Sequence, residues 1–212
     1  MATPFIVTYL GSLVRKWKAR GSEIVIDLSS KISRIVFYIK PIGFGFGEHE
    51  AVFVGFYTVV PPELMDENKS QLYRRLKPLE CELKWGGLIK RKPYWKPFVG
   101  LEILKRKIGL KPDSLLSNAL MKDPEINRLV KKVKPEEAWV ALDSGVSHIA
   151  CGVEDTESAA VEYFRNPEEV KFVMYVSKLC EVAMISKEDT IDILRLMLRI
   201  AETIDSIVGV LR

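Results

Sequence analysis

The sequence predicts an α+β fold, and three observations carry that prediction. The first half consists of short runs of β-branched and aromatic residues separated by Gly and Pro breaks. The second half shows helical apolar spacing and ends in a long, regular amphipathic segment. Charge divides at the same place: residues 1–111 hold 20 Lys/Arg against 10 Asp/Glu, and residues 112–212 hold 12 against 18. We therefore expect a mostly antiparallel twisted sheet, built by the first half and a hairpin over residues 137–152. C-terminal helices should cover it, the last two forming an antiparallel helical hairpin. Residues 1–111 make a basic β-rich region and 112–212 an acidic helix-rich region. Short connections favour one interlocked domain.

Taken in order, Phe5–Leu10 is rich in β-formers and predicts a strand. Leu13–Lys18 and Glu23–Leu28 flank a turn at Ala19-Arg20-Gly21-Ser22, which predicts a hairpin. Ile32–Ile39 and Ala51–Val60 are strong strand candidates joined through Pro41 and the glycines 43, 45 and 47. Pro61-Pro62 stops the second of them. Glu63–Leu76 suits a short polar helix. Glu80–Trp85 and Phe98–Ile108 are the last strands of this half, divided by breaks at Gly86-Gly87 and at Pro93 and Pro97.

Asp113 caps a helix over Ser114–Met121, and Asp123-Pro124 starts another that runs to Val133. Glu137–Leu142 and Val146–Gly152 flank Asp143-Ser144-Gly145 as a hairpin, and Ala159–Phe164 suits a short strand or a helix end. Asn166-Pro167-Glu168-Glu169 combines a cap, a first-turn proline and two acids, predicting a helix to about Met184. Ser186 with Asp189 opens the last helix. There Ile193, Met197, Ile200, Ile204, Ile207 and Leu211 draw one continuous apolar seam. A second stripe, Ile191, Leu194, Leu198 and Ala201, widens it. The seam has two uses: packing inside the chain on residues 167–184, or a homo-oligomer interface.

Composition bounds the function classes. With 212 residues and 48% hydrophobic content the chain can bury a core without metal or disulfides. Cys81, Cys151 and Cys180 are widely spaced and odd in number, which predicts buried thiols in a reducing compartment. No secretory signal pattern and no long uncharged apolar run is present, so we expect a cytoplasmic protein without a membrane span. One glutamine, four asparagines and 28% charged residues make a thermophile-like composition.

The basic excess concentrates between Lys84 and Lys111, where nine Lys/Arg meet the single acid Glu102. Trp85, Tyr94, Trp95 and Phe98 lie among them. Cations neutralise phosphates and aromatic rings stack on bases, so this segment suits RNA or single-stranded DNA. Its candidate residues are Lys90, Arg91, Lys92, Tyr94, Trp95, Lys96, Lys105, Arg106 and Lys107. Trp17, between Lys16 and Lys18, repeats the pattern. An anionic membrane surface and a solvated basic face with inward aromatics are the competing readings. A fourth pairs the basic half with the acidic half of another subunit.

A second candidate is Gly43-Phe44-Gly45-Phe46-Gly47-Glu48-His49-Glu50. Gly43, Gly45 and Gly47 permit close backbone approach, and Glu48, His49 and Glu50 could supply acid–base chemistry to a small molecule. The spacing matches neither a dinucleotide fingerprint nor a phosphate loop. Two histidines and no Cys-x-x-Cys argue against zinc, and no cofactor is expected. His148 suits a half-buried structural role. No serine has a nucleophile-elbow context. The paired acids Glu136-Glu137, Glu168-Glu169 and Glu188-Asp189 fit capping and dipole roles. The sequence therefore favours a non-enzymatic binding or assembly module. A small-molecule binder or enzyme at the glycine-rich loop is the first alternative, and a purely structural oligomer the second.

Overall fold

The structure, a computed structural model, describes residues 3–20, 23–29, 32–42, 49–60, 76, 79–86, 92–97, 115–142, 170–180 and 184–211. Helix α1 (Thr3–Leu10) and a 3-10 turn (Gly11–Leu13) lead into β1 (Val14–Arg20), β2 (Glu23–Leu28), β3 (Ile32–Pro41) and β4 (His49–Val60). Then come β5 (Cys81–Gly86) and β6 (Lys92–Pro97), α2 (Leu115–Lys122), α3 (Pro124–Val133), β7 (Glu137–Leu142), β8 (Val170–Cys180) and α4 (Lys187–Leu211). The α+β class is as expected. The strands form one antiparallel sheet in the order β1-β2-β3-β4-β8-β7-β5-β6.

Three elements differ from expectation, one of them β6, which stands where breaks at Pro93 and Pro97 are expected. Phe5–Leu10 belongs to a helix, not a strand. Ile6 and Leu10 stand one turn apart and are both buried in the core, so packing outweighs local β-propensity. The helix expected to run from the Asn166-Pro167 cap to Met184 is replaced over Val170–Cys180 by strand β8, and the helical hairpin with it. β8 lies between β4 and β7 and is buried on both faces. A strand of that kind reads as a continuous apolar run, which periodicity alone does not separate from a buried helix. The first half of the 137–152 hairpin is present as β7, paired with β8 and β5. Val146–Gly152, Ala159–Phe164, Phe98–Ile108 and, apart from Leu76, the 63–76 helix lie outside the described residues.

One face of the sheet carries the main core. Phe37, Phe53, Cys81, Trp95, Val140 and Met174 meet Leu116 and Leu120 of α2, Ile126, Leu129 and Val133 of α3, and the seam of α4. The helices earn their places by ordinary capping. Asp123 accepts from the backbone N–H of Glu125 (2.9 Å) and Ile126 (3.0 Å) at the start of α3. Ser186 Oγ accepts from Asp189 N at 3.0 Å at the start of α4. Lys178 on β8 joins two helix ends: its Nζ donates to Val133 O at 2.7 Å and to Asp189 Oδ1 at 2.8 Å. The ammonium suits the C-terminal end of α3, and the Asp189 carboxylate suits the N-terminal end of α4.

Most of the α4 seam is buried within the chain. Ile193, Met197, Ile200 and Ile204 are fully buried, Ile207 packs against the same core, and the side chain of Leu211 lies outside the described part. Those four residues leave no surface for a second subunit. Their partners are the sheet and helices α2 and α3. Gly55 on β4 lets Met197 approach, since a Cβ there would meet Met197 Cε at 2.5 Å. Tyr57 donates its hydroxyl to Asp205 Oδ1, which fixes the far end of α4 on β4.

The opposite face carries a smaller cluster, built on Val36, Val52, Val54, Phe56, Trp139 and Val173. Among the described residues, no helix is long and apolar enough to cross a membrane.

Candidate functional site

Strands β5 and β6 form the end of the sheet that carries the basic segment. Their register pairs Glu82 with Lys96, Leu83 with Trp95, Lys84 with Tyr94 and Gly86 with Lys92. Alternation then divides the segment between the two faces. Trp95 turns into the main core and is 3% exposed. Lys92, Tyr94 and Lys96 take the other face with Lys84 and Glu82, and Tyr94 remains 41% exposed. The breaks expected at Pro93 and Pro97 are instead the second and last residues of an edge strand, where a missing N–H costs no ladder bond. Lys90, Arg91, Lys105, Arg106 and Lys107 lie outside the described residues.

Glu82 partly neutralises this face. Lys84 Nζ lies 2.8 Å from its Oε2 and Lys96 Nζ 3.3 Å from its Oε1. Tyr94 is held over Gly86, where an added Cβ would meet its ring at 2.9 Å. The missing side chain of Gly86 is what lets the ring lie close against the strand. A phenol ring between two ammonium groups, exposed on a strand pinned by Trp95, can stack on a planar group and hold an adjacent anion.

Beyond Cys81 and Glu82, which pair with Val140 and Trp139, strands β5 and β7 part. A cleft of about 350 Å³ opens there, lined by Glu82, Lys84, Trp85, Glu136, Glu137 and Trp139, among others. Trp85 Nε1 donates to Pro135 O at 3.0 Å and so ties the two arms together. Trp139 stacks flat on Tyr175 with ring centroids 4.9 Å apart. Burial holds the hydroxyls of Tyr38 and Tyr175 well above the usual tyrosine range. The charge of Glu50 adds to both, with Glu23 at Tyr38 and Glu137 at Tyr175.

The glycine-rich alternative is divided by the fold. Gly43, Gly45, Gly47 and Glu48 lie outside the described residues. His49 and Glu50 are neighbours on β4 and so point to opposite faces, Glu50 buried on the side of Val52. They do not converge on one ligand. The thiol of Cys81 is buried and pushed up by that burial and by Glu82 and Glu80, so it behaves as a core group. Cys180 is raised too, mainly by burial. Cys151, His148, Ser144 and Asp143 are not among the described residues. No cluster of three His, Cys, Asp or Glu among the described residues could hold a metal ion.

Sequence reading missed Glu82 as the neutralising acid and Trp139 with Tyr175 as its aromatic surroundings. Both depend on pairing between distant segments. A local signal did exist at Glu82, the one acid inside the 81–86 strand. Strand β1 at the other end of the sheet holds Arg15, Lys16, Trp17 and Lys18 all exposed, with Trp17 48% exposed. No protein-family model, no curated protein and no solved structure matches this chain.

Proposed function

We propose that this protein is a non-enzymatic binding module that holds RNA or single-stranded DNA on the outer face of the β5–β6 edge. One observation carries the reading: strand alternation brings Lys92, Tyr94 and Lys96 to the same face, beside Lys84, with the Tyr94 ring exposed. The phenol supplies a stacking platform, and the lysines supply phosphate contacts on either side. Pinning by Trp95 reduces the ordering entropy lost on binding. The face reads no base edges, so the expected binding is tolerant of sequence and sensitive to salt.

Fluorescence anisotropy of a labelled single-stranded RNA, titrated with nuclease-treated protein at several salt concentrations, tests the reading. Micromolar binding with a steep salt slope supports it. No binding at low salt overturns it.

A further inference from the structure

We propose that the fork between β5 and β7 is a binding site for an organic cation, a primary ammonium carried on an aliphatic stem. The fork opens beside the nucleic-acid face and shares Glu82 and Lys84 with it. Its cleft of about 350 Å³ is large enough for a small molecule. Three carboxylates, Glu82, Glu136 and Glu137, line it against one ammonium, Lys84. Lys84 and Lys96 already pair with Glu82, so the surplus of negative charge rests on Glu136 and Glu137, at an end of the sheet that is otherwise basic.

The chemistry of the lining selects the cation. The half-buried indole of Trp85 borders the cleft, as does Trp139, which is largely covered by its stack on Tyr175, and indole is the best aromatic partner for a positive group. The residues of the chain itself show the preference, because two ammonium groups, Lys84 and Lys96, already lie against Glu82. Its Oε1 is nonetheless buried without a hydrogen bond of good geometry. A buried carboxylate oxygen in that condition gains from a further donor. Glu136 and Glu137 are exposed at the mouth and meet the incoming charge first. The indoles then cover the stem.

The probe is n-butylammonium chloride, titrated into the intact protein and followed by tryptophan fluorescence and calorimetry. Sodium chloride at equal ionic strength and sodium butyrate are the controls. We expect a saturable response to butylammonium alone. The Glu136→Gln/Glu137→Gln variant should weaken it about tenfold or more. Both side chains are exposed, so this variant keeps its fold, and circular dichroism verifies that. A response equal to that of sodium chloride overturns the proposal, as does binding of butyrate in place of the amine. An unchanged affinity in the double variant overturns it as well. RNA binding by the same variant reads the nucleic-acid face separately, so failure of one reading leaves the other standing.

Discussion

Strands β1 and β6 close the two ends of one sheet with the same kind of sequence, cations interleaved with aromatics, and use it differently. In β6 the alternation sends Trp95 into the core and leaves Tyr94 outside, fixed over Gly86. Of its cations Lys96 lies against Glu82, which also holds Lys84 of β5, and prolines at its second and last positions block pairing with another edge. In β1, Arg15, Lys16, Trp17 and Lys18 are all exposed, and the three cations have no acidic partner among the described residues. Strand β1 guards its edge with charge alone, whereas β6 is a braced strand that carries a positioned ring. Composition does not distinguish the two. The direction of each side chain does.

The largest contrast concerns stability. Replacing Trp95 with Ala should cost about 3–5 kcal/mol, while Trp17→Ala should stay within about 0.5 kcal/mol. Urea denaturation of the two variants measures this directly. Similar losses would erase the distinction between an anchored and a free edge.

A smaller effect comes from the helices beneath the β6 end. Burial pushes the Asp123 carboxyl up. Its hydrogen bonds from the Ile126 and Glu125 backbone and from Arg199, with the charge of Arg199, outweigh that and hold it below the usual range. Losing the cap through Asp123→Ala should cost about 1 kcal/mol. Because the folded value is depressed, this group's contribution is complete above about pH 4 and is lost as pH falls through the folded value. Denaturation midpoints of the wild type and Asp123→Asn should therefore converge in acid. A constant gap at all pH values would remove Asp123 from the account.

Glu82→Gln makes β6 resemble β1 by releasing Lys84 and Lys96. RNA affinity at low salt should rise a few-fold, an effect of about 1 kcal/mol or less. An unchanged affinity would show that these lysines face no phosphate. The smallest effect belongs to Gly86→Ala. The new methyl displaces the Tyr94 ring, so RNA binding should weaken slightly while the denaturation midpoint moves by about 0.5 kcal/mol or less.

Much of the fold was legible because local pattern and burial agree. Strands β2, β3 and β4 are dense in β-branched and aromatic residues, and α3 and α4 announce their starts through Asp123 and Ser186. The errors fall where packing decides. The Ile6 and Leu10 pair needs the sheet beneath it before it reads as helical. The residues of β8 are apolar on both faces because each face lies in a buried cluster, and a cap-like Asn166-Pro167 preceded it. At the candidate site, the cations and Tyr94 were legible as types. The prolines hid the strand that sorts them between faces, and the pairing of residue 82 with residue 96 hid their counter-charge.

The most direct test compares two triple variants of equal charge change, Lys92→Ala/Tyr94→Ala/Lys96→Ala on β6 and Lys16→Ala/Trp17→Ala/Lys18→Ala on β1. Single-stranded RNA affinity is measured by anisotropy across a salt series. The account predicts that the β6 variant loses about tenfold or more in affinity and that its salt slope flattens by about one unit, while the β1 variant keeps most of both. Full binding by the β6 variant, or a greater loss in the β1 variant, would contradict the assignment of the nucleic-acid face to β5–β6.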